Sequence, residues 1–338
     1  MNSSSKNDAA DLLIVGAGVA GSAVALECAT RLRRIIVLHA DDGRQGTESA
    51  SPHACARLKH YSIDIGEPLS YVAAWWGSDR LARMPCPGAR VVQRDELAQR
   101  LREASSAKVV MLKCKSILGL TSNNLMWLVN YRDQTGNIAT IKARNVCDAT
   151  GRRSVVGRLL GSRRISLDNL CCAAAPVADL GAVGTWTEAV SNGWWNVCAN
   201  THLGTLSFYS TPKILRAAAG DLKSLLAQTR HIRRQISLNE TARTRVQFCG
   251  SSLLSPCAGP GWFATGDAAM TVQPLASAGI SKALRDAQCA LRTIDTGGGE
   301  YDQRYQQEFA GFSKSIKAQY QSERRWKESE FWKHPFKA

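Results

Sequence analysis

The sequence has no apolar run long enough to cross a bilayer. Its uncharged stretch 12–26 is 15 residues long and is broken by three glycines, whereas a spanning helix needs about 20 apolar residues. The opening MNSSSKNDAA is polar and has no apolar core of a secretion signal. Transmembrane and secreted classes are therefore not expected. The eleven cysteines include no Cys-x-x-Cys pair, only Cys171 and Cys172 adjoin, and the six histidines are not paired either. Structural zinc needs closely spaced ligand pairs, so no metal site is expected. An odd number of cysteines cannot all pair within one chain. They read as reduced, mostly buried small side chains of a cytoplasmic protein, with a redox-active pair as the alternative. Acid is also short: 28 Asp+Glu stand against 43 Lys+Arg, a formal net charge of +15.

Three readings of that basic excess stay open. It is a basic solvated surface, or it meets an acidic partner or an anionic cofactor, or it binds nucleic acid. No recognition motif accompanies the charge, which sets nucleic acid last. With 44% hydrophobic residues the 338-residue chain is globular, and about 150 residues per domain gives roughly two structural units.

The run Asp11-Leu-Leu-Ile-Val15 has the length of a buried parallel strand. Gly16-x-Gly18-x-x-Gly21 follows it, then a helix of small residues to Ala29, then a second apolar strand from Arg34 to Leu38. In a strand–turn–helix–strand unit the three glycines have separate tasks. Gly16 permits the turn, Gly18 lets a pyrophosphate approach the backbone, and Gly21 lets helix and strand pack closely. The unit predicts dinucleotide binding. An acidic residue usually ends the second strand to hold the ribose; here His39 stands there, with Asp41 and Asp42 just beyond. Either an aspartate, with Asp41 the candidate, takes the ribose, or the cofactor is held less tightly.

Further along, 95–104 reads as helix, 109–112 as strand, and 125–131 with 138–143 as a hairpin across Asp133-Gln-Thr-Gly136. Alternating apolar residues over 183–210 read as antiparallel strands. Residues 277–293 read as a helix, and the tail from Tyr301 as a helix with Tyr305, Phe309, Phe312, Ile316 and Tyr320 on one face. Gly297-Gly-Gly299 is the hinge candidate.

Two more motifs carry chemistry. One is Cys147-Asp148-Ala-Thr-Gly-Arg-Arg-Ser154; the other is Gly266-Asp267-Ala-Ala with Pro274-Leu-Ala-Ser277-Ala-Gly279 opening a helix. A helix N-terminus offers N–H donors and a positive dipole to negative charge. In order and spacing the three motifs resemble the FAD-dependent monooxygenases of the hydroxylase fold. That resemblance implies an α/β protein with a Rossmann-type FAD-binding domain, an antiparallel β-sheet substrate domain and a C-terminal helix. It implies FAD as cofactor, held by Gly16, Gly18, Gly21, Asp148, Gly266, Asp267, Pro274 and Gly279, with Asp267 on the ribityl hydroxyls. Arg94-Asp-Glu-Leu97 resembles the family's Arg-x-x-Leu segment, where arginine meets the cofactor. The expected division is 8–60, 85–175 and 250–298 for FAD, 61–84 and 176–249 for substrate, and 299–338 for a C-terminal helical segment. No second Gly-x-Gly-x-x-Gly occurs, so electrons come from NAD(P)H bound transiently or from a partner reductase.

Within that family the chain resembles the tryptophan-halogenase-like branch through Glu48-Ser-Ala-Ser-Pro-His53, Pro274-Leu-Ala-Ser-Ala-Gly-Ile280 and Glu323-Arg-Arg-Trp…Phe-Trp332. It departs from the halogenases in two places. Trp194-Trp-Asn-Val keeps only the first tryptophan of their Trp-x-Trp-x-Ile-Pro strand, and 71–79 lacks their relay lysine. Ala74-Trp75-Trp-Gly-Ser78 resembles instead the LodB/GoxB-type flavoproteins, which mature tryptophylquinone amine oxidases by acting on a tryptophan in a partner polypeptide. Three readings follow: hydroxylation of a protein-bound tryptophan, hydroxylation (less readily halogenation) of a small or carrier-bound aromatic, or a non-catalytic maturation chaperone. An acidic protein or a carrier-bound aromatic is the expected partner; a membrane is not. His53 is the acid–base candidate. Trp75 is expected to line the aromatic pocket, and Ser277 to stand at the helix start that faces the flavin. Adjacent tryptophans on one strand point to opposite faces.

Overall fold

The strand Ala10–Val15 runs between two parallel neighbours, Ile35–His39 on one side and Ile138–Asp148 on the other. Five of its six residues are buried, as befits an apolar strand covered on both faces. Val110–Ser122 extends this layer beyond Ile35–His39, and Trp262–Ala264 extends it beyond Ile138–Asp148, both in parallel. Val19–Cys28 is the first crossover helix. Its small and apolar residues leave no polar face, and it is packed against the helices Arg94–Ser106 and Gly279–Thr296. The structure is a computed structural model that describes residues 9–40, 45–123, 126–178, 181–218, 221–236, 244–333 and 335–336.

Two of the parallel strands are long enough to leave the layer. The far ends of Val110–Ser122 and Ile138–Asp148 both pair antiparallel with Trp127–Asp133, closing a three-stranded meander. The turn at 133–136 is held by Asp133, which accepts from Thr135 Oγ1 at 2.7 Å and from the Asn137 N–H at 2.9 Å.

A second, eight-stranded sheet carries the remaining β-structure. From edge to edge its strands are Arg245–Phe248, Cys171–Ala178, Leu203–Ser210, Gly193–Ala199, Gly184–Val190, Glu67–Trp75, Ala82–Gln93 and Thr47–Ala50. It is not wholly antiparallel as expected: Gly184–Val190 pairs in parallel with Glu67–Trp75, because those two strands come from distant parts of the chain rather than from a hairpin. Sheet membership also departs from the expected division at 60, 85 and 175. Thr47–Ala50, the carboxyl half of Ala82–Gln93 and the start of Cys171–Ala178 all hydrogen-bond into this sheet. Backbone pairing decides that, and pairing partners are remote in sequence.

Each face of the second sheet has its own core. Trp75, Trp195 and Phe208 lie on one face beneath the short helices Pro212–Ala217 and Leu222–Leu226. Trp194 and Tyr209 lie on the other, under the carboxyl-terminal segment that brings Ile316, Tyr320, Phe331 and Trp332. Gly297 and Gly298, both at positive φ, turn the chain from Gly279–Thr296 into Gly299–Ser322. All eleven cysteines are free thiols and eight are buried. Burial pushes Cys28 and Cys198 up to about 12 and Cys172 to about 11, which leaves them unreactive as thiolates. No helix among the described residues is long and apolar enough to cross a membrane.

Candidate functional site

Sheet register brings the three sequence motifs to one edge. Val15 stands level with Leu38 and with Asp148, and Asp148 stands level with Ala264. The residues after Val15, Asp148 and Ala264 therefore begin loops at the carboxyl edge, where open parallel sheets bind ligands. Backbone bonds tie these loops together. The Ala149 N–H donates to Val15 O at 2.8 Å, and the Thr265 N–H to Asp148 O at 2.9 Å.

Gly16 has φ +109, and a Cβ there would stand 2.3 Å from Ala149 O. At Gly21 a Cβ would stand 1.9 Å from Gly16 O. Both positions are closed to any side chain. Gly18 is different: nothing lies within 4 Å of its would-be Cβ. The turn thus crowds its own backbone at Gly16 and Gly21 and leaves an open cradle at Gly18, which fits a pyrophosphate approaching the helix start. Gly266 closes the site from the other side, since its Cβ would meet Ala20 Cβ at 2.6 Å. The amino-terminal cradle and the Gly266-Asp267 turn are direct neighbours.

Asp148 is fully buried and turns away from the edge. It accepts from Thr150 Oγ1 at 2.6 Å, from the Thr150 N–H at 3.0 Å and from the Gly157 N–H at 2.9 Å. Burial pushes its carboxyl above the usual range, against these bonds. The side chain thus ties its carboxylate oxygens to the loop 149–157.

Asp267 is half-buried, with Arg152 Nε 3.7 Å from Oδ2. Arg164 supports the same turn by donating to Asp267 O and, at 3.1 Å, to Ala268 O; burial brings its guanidinium down to about 10. Pro274–Ala276 forms a single 3-10 turn, and Ser277 follows at φ +47. The helix begins at Gly279, two residues later than expected, because Ser277 takes the left-handed conformation that breaks it. Ser277 and Gly279 are exposed. No side chain caps this helix, so its first N–H groups face outward as donors. The donor set, an open glycine cradle at one end and an uncapped helix at the other, fits a dinucleotide whose second base accepts negative charge.

The segment after Thr47–Ala50 also reaches this helix. Ser51 caps Pro52–His60 by accepting from the Ala54 N–H at 3.2 Å, and its Oγ lies 2.7 Å from Ser281 Oγ. His53 is exposed in the first turn of that helix. Arg94 Nη1 pairs with Glu48 Oε1 at 2.7 Å, joining two residues that the sequence showed only separately. Asp41 lies outside the described residues.

Trp75 ends the strand Glu67–Trp75. It is 5% exposed and stacks on His231, centroids 4.4 Å apart, on the face opposite Leu275. Alternation foretells that neighbouring tryptophans part company, not which one faces the loop. The loop side takes Trp76 and Trp194. Trp194 Nε1 donates to Tyr320 OH at 2.9 Å, and Tyr320 OH donates to Gln273 Oε1 at 2.7 Å. Gln273 immediately precedes Pro274, so this chain of bonds ends on the loop itself. Sequence reasoning gave no role to Gln273 or Arg164, and Arg152 entered it only as part of the motif Cys147–Ser154.

No family model matches the sequence. Among known proteins the chain is 24% identical over 366 residues to the putative FAD-dependent oxidoreductase LodB of Marinomonas mediterranea, covering 97% of this chain and 98% of LodB. Among solved structures it superposes on QhpG, described as a peptidyl tryptophan dihydroxylase essential for tryptophylquinone cofactor biogenesis. That match has a TM-score of 0.81 at 18% identity, over 96% of this chain and 78% of QhpG. The myxobacterial chondrochloren halogenase CndH matches with a TM-score of 0.85 at 19% identity, over 96% of this chain and 85% of CndH. The fold is that of the flavin-dependent hydroxylases and halogenases. The expected α/β class and its resemblance to the halogenase-like branch stand on these matches.

Proposed function

We propose that the chain is an FAD-dependent monooxygenase that hydroxylates an indole ring, a tryptophan of a partner polypeptide, during maturation of a tryptophylquinone cofactor. The observation that carries this reading is the convergence of the three motifs on one sheet edge, with Gly266 packed on Ala20. Similarity to LodB over 97% of the chain supports the flavin chemistry, and the fold shared with QhpG supports the substrate class.

In this reading Gly16, Gly18 and Gly21 hold the pyrophosphate, Arg94 and Asp267 hold the rest of the dinucleotide, and the Pro274 turn with Gly279 meets the flavin end. When bound and reduced, the flavin supplies the activation of O2 and the oxygen that reaches the ring. The chain's own residues bind, orient and exclude water. The uncapped N–H groups at 279–281 stabilise negative charge at the edge they face. The wall formed by Trp76, Trp194, Tyr320 and Trp332 keeps water from the loop side of the sheet. His53 is assigned the proton that the ring releases. The basic excess of +15 speeds encounter with an acidic partner. Electrons come from NAD(P)H or a reductase.

Purified protein incubated with FAD, a reductant, O2 and a candidate partner polypeptide tests the reading by peptide mass spectrometry. A gain of one or two oxygen atoms on one tryptophan peptide is expected. Turnover of a free indole with an unchanged partner would move the assignment to the small-aromatic class, and a chloride-dependent mass gain would move it to halogenation.

A further inference from the structure

The glycine of the Gly266-Asp267 turn is gripped through both of its backbone polar groups. Its N–H donates to Asp286 Oδ2 at 3.1 Å, and its carbonyl accepts from Lys282 Nζ at 2.7 Å. The two side chains come from successive turns of Gly279–Thr296 and meet each other at 3.2 Å. They are 5% and 0% exposed. Tyr305 OH donates to the same carboxylate oxygen, and Arg304 Nη2 lies 3.4 Å from the other.

A buried ion pair is a poor device for stability alone, because its desolvation offsets the attraction and apolar side chains of similar size serve as well. What an apolar pair could not do is hold both of the peptide planes that meet at Gly266, one by its N–H and the other by its carbonyl. Gly266 sits at φ +57 with Ala20 beside it, so the direction of the next side chain follows the tilt of the second of these planes. Among the described residues the ion pair of the Asp267 carboxylate is with Arg152, 3.7 Å away, and the Arg164 charge acts on it from the backbone side of the turn. Its aim is therefore set from the backbone.

We propose that Lys282 and Asp286 are positioning residues that lock the two peptide groups meeting at Gly266 and so preset Asp267 for the hydroxyl groups of the bound dinucleotide, an inference that rests on the flavin reading above. The lock is in place before the ligand arrives, and binding then need not order the turn.

Lys282→Ala tests this, with the FAD dissociation constant read by flavin fluorescence and the melting temperature of the ligand-free protein read alongside. The expected result is a dissociation constant raised about tenfold, the loss of roughly one charged hydrogen bond. Added n-propylammonium should restore affinity by refilling the cavity with an N–H donor. Tetramethylammonium, with the same charge and no N–H, should not. Parent-like affinity in a folded Lys282→Ala protein overturns the proposal, as does equal rescue by both ions. Should Lys282→Ala fail to fold, Tyr305→Phe is read instead: it removes one donor to Asp286 and keeps the ring. Weakening of roughly threefold supports the lock, and no change overturns it. A parent protein that binds no FAD at all sinks the flavin reading, a result distinct from parent binding with an indifferent variant.

Discussion

At the carboxyl edge of the parallel sheet the chain is held backbone against backbone; on the loop side of the eight-stranded sheet it is held ring against ring. Gly16, Gly21 and Gly266 sit where a Cβ would come within 2.6 Å of another atom. Trp194 instead stacks on Tyr209 with centroids 3.8 Å apart and takes Trp76 edge-on. Backbone contact has no slack, whereas a cluster of rings can repack in part. The first region should fail at a single methyl group, and the second should lose stability in steps.

The sharpest break of that comparison is Gly21→Ala. Its new methyl would stand 1.9 Å from Gly16 O, and a loss of more than about 4 kcal/mol is expected in denaturant unfolding. Gly18→Ala is its control, because that position is open: stability should stay within about 0.5 kcal/mol while FAD affinity falls. Equal behaviour of the two variants would end the crowding argument. Trp194→Ala should cost about 3–5 kcal/mol as a cavity in the ring cluster, with the protein still folded. Tyr320→Phe keeps the ring but leaves the Trp194 N–H and Gln273 Oε1 without that partner. About 1–3 kcal/mol is expected. A shifted absorption spectrum of bound flavin would show that the bond chain reaches the loop.

The smallest effect is one of pH. Glu323 accepts from the Gly77 N–H at 2.7 Å and pairs with Arg325 at 2.6 Å. Burial pushes its carboxyl up, but these partners outweigh burial and hold it below its ordinary 4.5. A depressed carboxylate contributes its full stability above that ordinary value and loses it as pH falls through the folded one. Melting temperature of the parent should fall below pH 4.5 more steeply than that of Glu323→Gln.

Legibility followed the range of the interaction. The βαβ unit, the hairpin at 133–136 and the helix after residue 279 were readable because each rests on neighbours in the chain. Lys282 and Asp286 stand four residues apart, a spacing open to inspection. Their burial comes from remote segments, the Gly266 turn on one side and Gly299–Ser322 with Tyr305 on the other. The same holds for Glu48 with Arg94, and for Trp76 rather than Trp75 on the loop side.

From the residues alone came the glycine turn, the alternation of the paired tryptophans and the order of three motifs, since steric freedom at glycine and the period of a strand are local properties. Tertiary structure decided which ring faces the loop, which carboxylate is spent inside its own turn, and what grips Gly266. Each of those depends on which distant segment fills the space beside it, and register between remote strands is not written in either strand by itself.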